Sequence, residues 1–295
     1  ASRMGELADE LGERVSRALS NPAVQERLTD VGERLEEIGR TVAERMARAF
    51  GQLGRGAYPE HTLPQELTGE FAEGAPPVVE LATRNGSIRV VGVPAAEVGG
   101  PRRWRLRVER RIRARSREEA EQEAADLVQI DHGAGHLTVR ATDGDWRWGA
   151  GHTVGVELVL SSEMAASLRA STANGSVSVQ GVTGDSVEVR STNGRLDLAD
   201  VSARRVSATS TNGAVLLERV RAERVEARST NGSVTGVVAA EELEASSVNG
   251  AVTVRPLAAP GEGAARQRIE AQTVNGSVRV ALPAETTRAA AQGEV

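Results

Sequence analysis

One dipeptide constrains this chain more than any other feature. Asn-Gly recurs at Asn85-Gly86, Asn174-Gly175, Asn193-Gly194, Asn212-Gly213, Asn231-Gly232, Asn249-Gly250 and Asn275-Gly276. From Asn174 to Asn249 the intervals are 19, 19, 19 and 18 residues. A fixed period of that length marks a repeat architecture, in which each unit buries its apolar face only by stacking on the next.

The similarity extends to both sides of the dipeptide. Six and four residues before each Asn stand apolar or small pairs, as in Val79/Leu81, Val187/Val189 and Leu243/Ala245. Three and five residues after it stand pairs such as Ile88/Val90, Leu196/Leu198 and Val252/Val254, and a Ser or Thr always lies two before it. The positions between are mostly charged or hydroxylic. Alternation with period two on both sides of a turn predicts two half-buried strands per repeat. Asn and Gly both tolerate positive φ, which suits them to the corner between those strands.

Two strands cannot bury a core alone, so the economical fold is mainly β: a stacked-rung β-solenoid of about seven repeats of 18–19 residues. The equivalent Asn side chains then form an amide ladder, with the Ser/Thr residues as a parallel hydroxyl ladder just inside it. A series of Asn-Gly hairpins in a β-sandwich is the other reading of the dipeptide, but sandwiches seldom keep so regular a period. Composition agrees with narrow rungs. Only 2% of residues are aromatic against 39% hydrophobic, whereas ligand pockets usually recruit more aromatic wall. A net charge of -5 argues against a nucleic-acid-attracting surface. With no Cys, neither disulfides nor thiolate metal sites are available. No apolar run approaches the roughly 18 residues of a membrane span, and no signal peptide is visible.

The rest of the chain divides around the repeats. In residues 1–50 apolar positions recur every three or four residues, and Leu28, Val31, Leu35, Ile38 and Val42 keep the spacing of a heptad seam, predicting an amphipathic assembly helix. Packing of that helix on the solenoid itself is the alternative. Residues 51–77, rich in Gly and Pro, read as a linker. The solenoid is expected over 78–283, with an insertion at 94–166 after the first rung and a disordered tail at 284–295. Within the insertion, Trp104, Leu106 and Val108 alternate with Arg to predict an exposed strand, and Ser116-Arg117-Glu118-Glu119 is a capping-box start for an acidic helix reaching about Val128. Two further strands follow, and the whole insertion suits a cover for an exposed solenoid edge.

The first Asn-Gly-Ser-Ile-Arg-Val-Val-Gly-Val rung, the strand, acidic helix and strand of the insertion, and the repeated Ser-Thr-Asn-Gly rungs together resemble the bacterial "toastrack" β-repeat family, whose members are often labelled putative adhesins. The resemblance covers about 78–283. It implies a non-enzymatic β-solenoid, in relatives linked to the cell envelope and membrane-stress systems, and it brings no catalytic residues to transfer.

Three groups of residues are candidates for chemistry. Nine Arg lie between Arg102 and Arg117; Arg103, Trp104, Arg105 and Arg107, with Trp146 and Trp148, make a candidate anion or partner patch. The plainer reading is a solvated strand paired with Glu118, Glu119, Glu121, Glu123 and Asp126 of the following helix. His132, His136 and His152 with Asp131, Asp143 and Asp145 match no ordered metal-ligand spacing, so no metal or other cofactor is expected. Glu188, Glu226, Glu244 and Glu270 share one outward offset, but Ser207 interrupts the series, and no catalytic residues are assigned. The expectation is therefore a structural or interaction protein, with a protein partner or itself as ligand, cytoplasmic or peripheral at the inner face of the membrane. A secreted adhesin or glycan-binding module and an end-to-end polymerising scaffold like the bactofilins are the rival readings.

Overall fold

The Asn-Gly dipeptide sits at a corner between two stacks of parallel strands, which is how so short a repeat acquires a core. The computed structural model describes residues 58–141, 152–257 and 267–281. The first stack contains, in spatial order, β6 (His136–Ala141), β2 (Val78–Asn85), β8 (Ser167–Asn174), β10 (Thr183–Ser191) and β12 (Ser202–Ser210). It continues through the second halves of β13 (Val215–Ser229) and β14 (Val234–Ser247) to β16 (Arg268–Thr273). The second stack runs through β7 (Thr153–Ser161), β3 (Ile88–Val93), β9 (Val177–Gln180), β11 (Leu196–Ala199), the first halves of β13 and β14, β15 (Val252–Pro256) and β17 (Val278–Val280). The chain is thus a mainly β solenoid.

Register follows the apolar pattern. Val187 pairs with Val206, Val206 with Val225 and Val225 with Leu243 on one stack, while Leu196 pairs with Val215 and Val215 with Val234 on the other. All of these side chains are buried. A slip by one residue would turn each of them outward, so the period-two pattern fixes the pairing. Each fully buried Val or Leu contributes about 1.5–3 kcal/mol relative to exposure.

A level without Asn-Gly precedes the first rung. β6 and β7, both from the insertion, fold back so that Leu137 lies over Val79, Val139 over Leu81, Val156 over Ile88 and Leu158 over Val90. The stack therefore has eight levels among the described residues, and the insertion supplies the outermost. Antiparallel strands then close that end. β5 (Val128–His132) pairs with β6, β4 (Arg103–Arg113) with β7, and β1 (Glu60–Glu70) with β4. A four-residue helix, α1 (Ala95–Val98), precedes β4, and α2 (Arg117–Ala124) turns its buried Ala120 and Ala124 toward this closed end. Ser116 caps α2 by accepting from the Glu119 N–H at 3.2 Å, and the Glu119 carboxylate returns to the Arg115 N–H at 2.8 Å.

Four expectations are corrected. The 51–77 segment is not a linker throughout, because residues 60–70 form β1: Leu63, Leu67 and then Phe71 lie on one face, and Pro64 is accommodated because β1 is an edge strand. The strand carrying Trp104 is not exposed, since β1 and β7 flank it and its apolar face is buried. The acidic helix ends at Ala124, and Val128 begins β5. Positive φ does not explain most of the Asn-Gly corners. Among the turn glycines only Gly86 has it, at 145°, and no turn Asn does. What excludes a side chain there is stacking: a Cβ on Gly194, Gly213, Gly232, Gly250 or Gly276 would overlap the carbonyl oxygen of the turn glycine one level back.

The positive φ belongs to the opposite corner. Gly181, Asp200 and Arg219 occupy equivalent places there with φ of 66°, 53° and 52°. In the next repeat Glu218 pairs with Val237 and Val220 with Val238, so Arg219 has no counterpart. The single 18-residue interval arises from that omitted corner residue. The heptad positions Leu28, Val31, Leu35, Ile38 and Val42, Trp146 and Trp148, and the 284–295 tail lie outside the described residues.

Candidate functional site

The most regular chemical feature of the solenoid is its Asn-Gly edge. Asn174 donates its side-chain N–H to the Asn85 Oδ1 at 2.7 Å, and Asn193 to Asn174, Asn212 to Asn193, Asn231 to Asn212, Asn249 to Asn231 and Asn275 to Asn249 repeat the contact at 2.6–2.9 Å. All six bonds point the same way. Beneath them runs the hydroxyl column. Thr172, Ser191, Ser210, Ser229, Ser247 and Thr273 each donate to the carbonyl of the turn glycine one level back, at 2.8–3.0 Å. Ser210 and Ser229 also accept the N–H of Gly213 and Gly232, so each buried hydroxyl serves both levels. Thr192, Thr211 and Thr230, just before the Asn residues, are exposed and line the outside of the same edge.

The Arg-rich strand β4 has its charge partners beside it in the sheet. Glu60 lies opposite Arg113, Glu66 opposite Arg107 and Glu70 opposite Arg103, all from β1, while Glu157 of β7 lies opposite Arg107 on the other side. The separations reach 3.5 Å for Arg103–Glu70, 3.9 Å for Arg113–Glu60 and 4.0 Å for Arg107–Glu66. Glu119 and Glu121 of α2 instead engage Arg115 and Arg117. Cross-strand pairing thus takes the place of the strand-to-helix pairing expected from sequence. Trp104 does not join the patch. It is 2% exposed on the opposite face from Arg103 and Arg105, with Phe71 at 6.1 Å and His132 at 5.6 Å between ring centroids. Sequence reading also missed Arg110, which shares the inward face of β4, bonds the Gln65 side chain and has its pKa lowered by burial.

The histidines do not converge. His136 meets Asp131 at 3.2 Å, His152 meets Glu123 at 3.5 Å and His132 lies against Trp104. Among the described residues no group of three or more His, Cys, Asp or Glu is placed to hold a metal ion. Glu188, Glu226, Glu244 and Glu270 do fall in one outward column, with Glu226, Glu244 and Glu270 on successive levels. Arg228 bridges Glu226 and Glu244, and Arg169 holds Glu188 at 3.0 Å. A shallow groove of about 500 Å³ crosses the same face, floored by Ser167, Ser186 and Ser207 and rimmed by Arg169, Arg205 and Glu80. Pairing of this kind makes a solvated, charge-balanced face.

Stacked levels, a polar edge ladder and charge-balanced faces define a mainly β solenoid. The family model described as Toastrack DUF4097 matches residues 134–294, more than half of the chain. The chain belongs to the Toastrack family. Solved structures similar to it include a "putative adhesin" from Bacteroides fragilis, at 13% identity over 75% of this chain and 97% of that one, with a TM-score of 0.43. A "putative cell adhesion protein" from Clostridium sporogenes matches at 10% identity over 75% and 100% of the two chains, with a TM-score of 0.35. No match is found among curated proteins.

Proposed function

We propose that the chain is a non-enzymatic interaction scaffold of the bacterial envelope, a solenoid that presents one polar surface many times over while residues 1–50 assemble copies or dock a partner. The unbroken amide ladder carries this reading. Seven Asn side chains repeat the same group at each Asn-Gly level, roughly 4.8 Å apart. A partner with a repeating surface engages several levels at once, and gathering copies raises the avidity further. Among the described residues no helix is long and apolar enough to cross a membrane, and peripheral attachment at the inner face of the membrane through residues 1–50 fits the amphipathic pattern. The test compares the solution mass and partner retention of the whole chain with a version beginning at Tyr58. Loss of assembly or of retention in the shorter chain is the expected result; identical behaviour of the two overturns the role given to residues 1–50.

The serine-floored groove favours a second reading, an adhesin whose faces bind glycan. Direct glycan binding by a chain beginning at Tyr58, lost on Arg205→Ser, would establish it. End-to-end polymerisation fits less well, because antiparallel strands and a helix close one end of the stack.

A further inference from the structure

The two ends of the solenoid are unlike, and the difference says what the open one meets. At the closed end β1, β4, β5 and α2 cover the last level, and Leu106, Ile112 and Ala120 are fully buried. At the other end β16 and β17 have no strand on their outer side among the described residues. Their inward positions show it. Val278 is 44% and Val280 38% exposed, although Val252 and Val254, which they pair with one level back, are 0% and 1% exposed. Ile269 and Ala271 are likewise only partly buried, against the buried Leu243 and Ala245. An apolar cross-section bordered by unpaired strand edges is a template for another strand layer.

We infer that this end pairs with the same end of a second copy, making a closed tail-to-tail dimer in which β16 meets β16 antiparallel. Three observations lead there. The closed end offers no matching cross-section, so head-to-tail stacking is blocked and a self-complementary, two-fold contact remains. The outward residues of β16 alternate in sign, Arg268 then Glu270. In an antiparallel pair centred on Ile269, Arg268 of each copy lies opposite Glu270 of the other, with the two Ile269 side chains facing on the inner side. Residues 282–295 do not continue the apolar pattern of the repeat: counted on by the 19-residue period from the inward Ile269 and Ala271, they place Arg288 and Ala290. That makes them a poor ninth level. The dimer contact adds a partner to the scaffold reading above without depending on residues 1–50.

The column of like charges provides the test. Within one chain Glu270 stacks on Glu244, which Arg228 already engages, and stands 3.8 Å from Arg268 of its own strand; Glu270→Arg exchanges that exposed pair for a contact with Glu244 while setting guanidinium groups against each other across the proposed contact. Light scattering of the 295-residue chain should give a mass that Glu270→Arg lowers twofold while the far-UV circular dichroism of the folded chain is retained. Adding Arg268→Glu should restore it, because the cross-copy pair is then only reversed. A mass unchanged by Glu270→Arg, or lowered but not restored by the double exchange, overturns the inference, as does a 295-residue chain that is monomeric because residues 282–295 cover the end themselves. Loss of assembly on removing residues 1–57 together with a mass insensitive to Glu270→Arg would sink this contact and leave the scaffold reading intact.

Discussion

The turn glycines and the hydroxyls beneath them govern the Asn-Gly edge at the scale of single residues. A methyl group on Gly213 would overlap the Gly194 carbonyl and the Arg195 nitrogen of the neighbouring level, and both are backbone that cannot swing aside. Gly213→Ala is expected to destabilise by about 2–3 kcal/mol in urea unfolding, at the upper end for overpacking, whereas Gly135→Ala, with open space around it, should be close to neutral. Ser210→Ala strips the Gly213 N–H and the Gly194 carbonyl of one buried partner, a loss of about 2 kcal/mol read in the same experiment. At the opposite corner the hydrogen bonds from Arg219, at 2.6 and 2.7 Å, hold the Asp200 carboxyl below the usual carboxylate range. A depressed folded-state pKa gives stability that is present above the ordinary carboxylate value and fades as pH falls through the lowered one. The pair is exposed, so the effect on unfolding is small; the sharper measurement is an NMR titration in which Arg219→Met returns Asp200 to its ordinary range. The ladder residues were legible because Asn, Gly and the hydroxyl recur at fixed offsets. The left-handed corner was not, because Gly181, Asp200 and Arg219 share a conformation without sharing a side chain.

Among the elements, the closing strands were the least legible part of the fold. β1 contains Pro64 and Gly69 and lies in a stretch dense in both residues, so its alternation of Leu63, Leu67 and Phe71 was outweighed by turn signals. Gly69 is there for packing: a Cβ on it would collide with the indole of Trp104. Deleting β1 leaves the apolar face of β4 without its neighbour. A chain beginning at Pro76 should therefore unfold at lower denaturant than one beginning at Tyr58, measured by far-UV circular dichroism. Trp104→Ala should cost about 3–5 kcal/mol. The β-α-β sense of the insertion could be read from sequence, but its place in space could not, since nothing in β6 or β7 announces that they stack outside the rung formed by β2 and β3.

At the scale of the whole molecule, a stack in which each level touches only its neighbours has stability that falls toward an uncovered end. In the Glu270→Arg chain, where the β16 and β17 end stays uncovered, amide hydrogen exchange should be slowest in β10 to β13 and fastest in β16 and β17, and Leu198→Ala, about 2–5 kcal/mol, should cost more than Val278→Ala. Uniform protection along the stack would contradict this. The corner that lacks Arg219's counterpart has a wider meaning. The 94–166 insertion and the 257–267 excursion both leave from the same corner, between the second stack and the first, and there one level carries dozens of residues more than its neighbours and another one fewer, while the pairs on either side of the shift at Glu218/Val220 stay in line. The Asn-Gly edge is the spine of this protein and the opposite corner its point of growth, where duplication can copy a level and recombination can thread in new sequence while the rest of the stack stays as it was.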